Sequence, residues 1–428
     1  MPKASVPLAG GDYTKRYNTG ALDTLYVTCV ALRDQDQTVL LYTMDLICAE
    51  DLFVDPAKAA ISDATGIEQE NIIINATHTH AAPAIRNEFD GVIDYRKIFF
   101  AAAVQAGSDA IADLTHAEIY HGSTQAENMA FVRHYELSDG SFAGPNFGNF
   151  ENGDIVGHST PADVELQLVK FARNGKKDVV LMNFPAHCTM NGKTVDTKLS
   201  ADYPGPTRDY IEENSNALVA FFIAAGGDQT PYSSNKQEQL YTREQYQDYG
   251  QALGKYAVDA LSRLTKLKPE QIELTAKTFT GISNKEKTDQ LMQAQQVVKA
   301  ARQYGVSAPE TVELARQYGF TSYYEANAIK SRISAPSTVN MELRVLTIGS
   351  LGFVFAPYEM FSTQGMYIKT HSACETTFIV TCSEGAMGYL PSQRGFEIGC
   401  YEACVTKFQP GTAEQLADAF VDMLQNKK

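Results

Sequence analysis

The sequence predicts an α/β protein in which mixed β-sheets are flanked by helices. Three observations carry that expectation. Short runs of β-branched and aromatic residues recur along the chain. Segments rich in Ala, Glu, Lys and Gln with helical spacing separate them, and several of the apolar runs stop at a histidine, a carboxylate or a glycine pair. A chain of 428 residues with 44% hydrophobic content can bury a sizeable core. We expect one domain over 1–428, interrupted by a helical insertion over 284–332.

The elements follow in order. Residues 24–32 and 38–46 read as two strands joined by the polar turn Arg33-Asp34-Gln35-Asp36. Asp45 then opens an acidic stretch with Glu50 and Asp51, which could touch a site from the second strand's end but is read in preference as a solvated loop. A helix over 56–65 leads into Ile72, Ile73 and Ile74, an apolar strand that runs into Asn75-Ala76-Thr77-His78-Thr79-His80. An alanine-rich helix is expected over 94–114. Strands over 164–171 and 178–184 come next, the second running into Pro185-Ala186-His187. A buried strand over 217–225 ends in Gly226-Gly227-Asp228-Gln229-Thr230, whose glycines let the backbone turn tightly and approach a ligand.

Residues 284–332 change character, and Ala-Arg-Gln-Tyr-Gly occurs twice there, at 301–305 and 315–319. Two copies are too few for a stacked repeat, so the segment reads as a helical insertion or lid. Strands resume at 341–348 and 352–355, the latter leading to Ala356-Pro357-Tyr358-Glu359. A strand beginning at Cys382 is expected to end in the turn Gly388-Tyr389-Leu390-Pro391. A last helix over 412–425 carries Leu416, Phe420 and Leu424 on one face.

Composition excludes several functions. A formal charge of −15 argues against nucleic acid and against an anionic membrane surface. No uncharged apolar run is long enough to span a bilayer, and none of signal-peptide length occupies the amino terminus. The chain as written therefore reads as cytoplasmic, or as secreted or periplasmic if a leader has been removed. Seven cysteines without CxxC spacing indicate neither a zinc knuckle nor a disulfide framework; Cys400 and Cys404 are the pair close enough in sequence to join, although free thiols are the preferred reading.

The chemistry gathers where strands end. Open sheets bind ligands at the carboxyl ends of their strands, and an i, i+2 pair of imidazoles there can present one ring to a metal and the other to a substrate. The alternative for His78 and His80 is a pair capping a strand through backbone hydrogen bonds. His187, Asp228 with Thr230, and Glu359 lie at three further strand ends. His116, His121, His134, His158 and His371 are assigned no role.

The segments Ala-Thr-His-Thr-His-Ala-Ala-Pro, Phe-Pro-Ala-His-Cys-Thr-Met with Ser200-Ala201-Asp202-Tyr203-Pro204-Gly205, Ala-Gly-Gly-Asp-Gln-Thr-Pro, the Glu359 segment and Gly-Tyr-Leu-Pro occur in the order found in neutral ceramidases. Over nearly its whole length the chain resembles the catalytic amino-terminal domain of the neutral/alkaline non-lysosomal ceramidase family, without that family's smaller immunoglobulin-like domain. The resemblance implies one zinc ion held by His78, His187, Glu359 and Tyr389, with His80 beside it facing the substrate. Two imidazoles and a carboxylate are a familiar catalytic zinc set, which agrees in part; manganese or iron would also accept these donors.

The reaction implied is hydrolysis of an N-acyl amide by metal-activated water, on a small-molecule or lipid-like substrate. His80 is expected to transfer a proton or contact the oxyanion, and Asp228 to orient. Thr230 stands where the family has serine, and its β-methyl narrows the rotamers of the hydroxyl. Arg133 matches a family arginine that lines the site, although Val132 replaces the preceding asparagine; a surface cation is the alternative. Two other functions compete. One is an esterase or phosphoester hydrolase with Thr230 as nucleophile and Arg133 holding the anion. The other is a catalytically silent ligand-binding module. A long-chain substrate would require a deep apolar channel beside the metal.

Overall fold

The computed structural model describes residues 5–9, 16–35, 37–86, 90–191, 197–268 and 271–425; Asp36 of the first expected turn, like much of the segment before Arg16, lies outside them. Its architecture is α/β, as the sequence predicts: mixed sheets with helices between and around them.

One arrangement occurs three times. An antiparallel hairpin is followed by a helix and then by a third strand parallel to the hairpin's second. In the first unit Val27–Arg33 pairs with Thr38–Met44, helix Asp51–Thr65 crosses over, and Ile72–Ala76 lies parallel to Thr38–Met44. In the second, Glu165–Arg173 pairs with Asp178–Phe184, helix Pro204–Asn214 crosses over, and Ala217–Ile223 lies parallel to Asp178–Phe184. In the third, Thr338–Ile348 pairs with Leu351–Phe355, helix Ser362–His371 crosses over, and Thr376–Val380 lies parallel to Leu351–Phe355. A parallel pair needs such a crossover and sends both strands' carboxyl ends the same way. Ala117–Gln125 and Thr265–Lys266 extend the second sheet, and Ile272–Ile282 extends the third.

The parallel strands are buried along most of their length, which is why they read as continuous apolar runs. Ile72–Ala76, Leu351–Phe355 and Thr376–Val380 are buried at every position. Where the three units meet, the core turns polar. Asn75 donates to the Thr381 carbonyl at 2.6 Å, and Asn183 donates to the carbonyls of Phe222 at 3.0 Å and Ile379 at 3.2 Å. The Thr43 hydroxyl donates to the Phe221 carbonyl, and that of Thr381 to the Ala224 carbonyl. These buried side chains satisfy backbone groups that the ladders leave open on the edge strands and just beyond their ends, as burial demands.

Three sequence expectations need correction. The first helix starts at Asp51 rather than 56 and carries Pro56 inside it; proline there forfeits one backbone hydrogen bond and crowds the carbonyl four residues earlier, and burial of Phe53 and Val54 holds the preceding turn against that cost. The third-unit strand ends at Val380, before Cys382, and Tyr389–Leu390 is itself a short strand parallel to Glu359–Met360 rather than a turn. Asp45 is fully buried, not in a solvated loop, because Arg208 holds it with two hydrogen bonds of 2.9 and 2.8 Å.

Helices Leu291–Tyr304, Pro309–Gln317 and Tyr323–Ser334 pack around their own small core of Ala294, Val297, Ala315, Phe320, Ala326 and Ile329. The two Ala-Arg-Gln-Tyr-Gly copies are helix endings: each finishes on a glycine at positive φ, Gly305 at 110° and Gly319 at 75°, backbone that a residue with a side chain adopts only at a cost. All seven cysteines are free thiols. Among the described residues no helix is long and apolar enough to cross a membrane.

Candidate metal centre

Each unit sends groups to one place. The first delivers His78 and His80 just beyond Ile72–Ala76. The second delivers His187 three residues beyond Phe184, and the third delivers Glu359 and, after the Thr376–Val380 strand, Tyr389. His78 Nε2 lies 3.3 Å from Glu359 Oε2, and His187 Nε2 lies 3.1 Å from the same oxygen. His80 Nε2 is 3.4 Å from His78 Nε2. Glu359 and Tyr389 are register partners in their short parallel pair, and the Tyr389 ring stacks on that of His187 at 6.3 Å.

The outer nitrogens fix how the rings face. His78 Nδ1 is 2.6 Å from the Ile47 carbonyl, and His187 Nδ1 is 2.7 Å from the Gly226 carbonyl. A carbonyl only accepts, so each Nδ1 carries a hydrogen, and each Nε2 faces inward, where a metal would replace the proton that His78 Nε2 shares with Glu359. Around a zinc ion with ligand distances of about 2.0–2.1 Å, tetrahedral neighbours stand about 3.3–3.4 Å apart. The observed nitrogen–oxygen separations match that edge, and the donor set of imidazoles and a carboxylate suits the ion. The residues present therefore fit a divalent metal.

The electrostatics of this pocket favour a cation. Burial works against charge on His78, but the Glu359 carboxylate overcomes it and raises the imidazole to about 10. Burial likewise opposes charge on Glu359, but the His78 charge and the hydrogen bonds from His187 and His78 together outweigh it, holding the carboxyl well below the usual range. Burial, aided by the nearby Arg133 charge, drops His187 to about 4, leaving it neutral and ready to donate a lone pair. Burial pushes the Tyr389 phenol well up, with Glu359 adding to the effect and Arg133 opposing it. Behind His78, hydrogen bonding from Cys382 brings the Cys48 thiol down to about 7.

The remaining candidates have distinct places. Arg133 is buried, not a surface cation: its Nε donates to Glu402 Oε1 at 2.7 Å, its terminal nitrogen donates to the Gly227 carbonyl at 2.9 Å, and its guanidinium lies 5.6 Å from the centre of the Tyr389 ring. Asp228 is also buried, but its carboxylate accepts from the Ser362 backbone N–H at 2.7 Å and hydroxyl at 3.0 Å. It braces the start of a helix and has no hydrogen bond to the histidines among the described residues. The Thr230 hydroxyl donates to the Tyr232 carbonyl at 2.7 Å.

The glycines between these two groups approach protein rather than ligand. A Cβ at Gly226 would stand 2.6 Å from the Pro185 carbonyl oxygen, and one at Gly227 would stand 2.5 Å from that of Glu359. Both sites are therefore closed to any side chain.

Sequence reasoning missed the residues that position this cluster. Glu402 is the main one: it bonds Arg133 on one oxygen and His134 Nε2 at 2.9 Å on the other. Asp45 is the second, since it also accepts from Thr77, the neighbour of His78, at 3.1 Å. Arg133 and Glu402 lie 269 positions apart, so no spacing could reveal them. An apolar cavity of about 380 Å³ lined by Val30, Leu32, Leu114, Phe171, Val179 and Ile272 touches none of the cluster and meets the strands near their opposite ends. It is not the channel that a long-chain substrate was expected to need.

Solved structures share this architecture. Neutral ceramidase from Pseudomonas aeruginosa superimposes with a TM-score of 0.65 at 16% identity, covering 91% of this chain and 66% of that one. The fold is that of the neutral ceramidases. A second structure, a ceramidase complexed with C2, superimposes with a TM-score of 0.66 at 14% identity, covering 98% of this chain and 72% of that one. The chain thus spans just under two thirds of the length of the Pseudomonas ceramidase. No family model and no curated protein matches it.

Proposed function

We propose that this protein is a zinc-dependent hydrolase of N-acyl amide bonds, ceramidase-like in its chemistry. The observation that carries the reading is the approach of both His78 Nε2, at 3.3 Å, and His187 Nε2, at 3.1 Å, to the single oxygen Glu359 Oε2, with both Nδ1 hydrogens tied to backbone carbonyls. A zinc ion held by His78, His187, Glu359 and Tyr389 would polarise the amide carbonyl and lower the pKa of water toward about 7. Tyr389 completes the set as a phenol oxygen beside Glu359, and the Arg133 guanidinium favours negative charge on that oxygen. His80 stands next to the ligands without being one and carries the proton to the departing amine. Asp228 acts as a positioning residue through Ser362.

The ceramidase fold supports this reaction class, and the neighbours' names point to an amide that carries an acyl chain. Ceramide and other N-acyl compounds, such as acylated amino acids, sugars or amino alcohols, fit equally. The helical segment over 284–332 is proposed as an insertion into the catalytic domain. The esterase or phosphoester alternative loses ground because the Thr230 hydroxyl gives its hydrogen to a carbonyl, not to a base that could activate it.

Metal analysis of the purified chain, paired with a fluorogenic panel of N-acyl amides of varied chain length and head group, tests the proposal. About one zinc per chain, with cleavage abolished by a chelator and restored by zinc, is the expected result. His78→Ala and His187→Ala should lose metal and activity together, while His80→Ala keeps the metal and loses turnover. Stoichiometric zinc retained in both of the first two variants would sink the assigned ligands. A covalent adduct trapped on Thr230 would restore the nucleophile reading. A chain that binds zinc and its ligands but turns nothing over would be the silent binding module.

A further inference from the structure

Two thiols stand behind the metal-facing side of His78. Cys48 lies in the loop after Thr38–Met44 and Cys382 just after Thr376–Val380, so two different units supply them. Their sulfur atoms and a ring nitrogen of His78 all lie within 4.8 Å of one another. Cys382 Sγ is 3.3 Å from His78 Nδ1, the same nitrogen that is 2.6 Å from the carbonyl of Ile47, the residue before Cys48. Cys382 is buried and sits at a φ of 53°, a left-handed conformation costly for a residue with a side chain. Cys48 is half-buried. The amide hydrolysis proposed above uses neither sulfur.

We propose that Cys48 and Cys382 form a redox-active dithiol that a hydroperoxide oxidises to a disulfide, loosening the seat of His78. The Cys48 sulfur attacks a peroxide oxygen and the O–O bond breaks. Cys48 becomes a sulfenic acid, and the other oxygen leaves as water when the peroxide is hydrogen peroxide. The Cys382 sulfur then attacks the Cys48 sulfur, the S–S bond forms, and the hydroxyl departs as a second water carrying the Cys382 proton. The two thiols lose two electrons and the peroxide gains them. A dithiol reductant reverses the change by exchange.

Geometry gives the oxidation a consequence at the metal. An S–S bond is about 2.05 Å long, so closure must draw the two sulfurs together and pull the Ile47–Cys48 backbone with them. The Ile47 carbonyl and the Cys382 sulfur are both partners of His78 Nδ1, and both would move. Loss of an outer partner of a ligating histidine lowers metal affinity by about 10–100-fold. The crosslink stands on its own; its effect on zinc rests on the proposed metal site.

The experiment takes the full chain freed of metal and treats it with hydrogen peroxide. Peptides are mapped by mass spectrometry without reduction, and zinc affinity is measured by competition with a chromophoric chelator before and after. The expected result is a Cys48–Cys382 crosslinked peptide that dithiothreitol opens, with zinc bound at least tenfold more weakly in the oxidised form and recovered on reduction. Cys48→Ser should abolish that crosslink. Recovery of the two residues as separate thiols or separate sulfinic acids, or joined to other cysteines, overturns the dithiol. A crosslink that leaves zinc affinity unchanged overturns the switch. Reduced protein that binds no zinc overturns the metal site and the switch together, while the crosslink is still judged by the peptide map.

Discussion

Glu402 holds two cationic or cation-capable groups at once, Arg133 and His134, and is itself fully buried. Removing one partner of a buried pair leaves the other uncompensated, at a cost of about 3–5 kcal/mol. Glu402→Gln should therefore lower stability by about 3 kcal/mol in denaturant titrations. Burial resists the Glu402 charge, but Arg133 and His134 together outweigh it and hold the carboxyl well below its ordinary 4.5. A depressed carboxyl contributes stability above its unfolded value and loses it as pH falls. Unfolding measured from pH 7 down to 3 should show wild type losing stability below about 4.5, and the Gln variant falling less steeply. Asp202 has the opposite sign: burial raises it from 3.8 to about 6, so its contribution is complete below 3.8 and fades as pH rises through 6. The histidines, Glu359 and Tyr389 were legible in the sequence because each sits in a local motif at the end of an apolar run. Glu402 and Asp45 were not, since burial and partners 269 and 163 positions away define them.

At the scale of elements, the amides that pin the three units are the parts most exposed to test. Asn183→Leu preserves bulk but leaves the Phe222 and Ile379 carbonyls without their side-chain donor. Each buried polar group so deprived costs about 1–3 kcal/mol, and a lower melting temperature with unchanged far-ultraviolet dichroism is expected. Gly227→Ala meets the Glu359 carbonyl oxygen at 2.5 Å. Because backbone must shift there, zinc affinity in a competition assay should fall along with stability. Most buried strands were readable to within a few residues, their two faces being apolar alike. Ala117–Gln125 escaped because it alternates and carries a half-exposed face, and Tyr389–Leu390 because two residues hold no period. Composition alone foresaw the helical character of 284–332; why one pentapeptide recurs there became clear only from its helix endings.

Across the whole molecule, the threefold hairpin, helix and strand pattern is invisible in the sequence, since the units share geometry and not residues. Their strand ends nevertheless converge, and the proposed metal joins all three. A ligand bound only by the folded state stabilises it by about 2.7 kcal/mol at a hundred times its dissociation constant. Calorimetry should therefore show a higher melting temperature with zinc than with a chelator, and His187→Ala should erase the difference.

That distribution also bears on biosynthesis. His78 leaves the ribosome first, His187 next, and Glu359 and Tyr389 last of the four. A nascent chain can fold its first units as it emerges, yet it holds only part of the donor set until the last one docks. Capture of the proposed zinc would then await the last unit, and the amount of metal retained by stalled chains of increasing length would count the units in place.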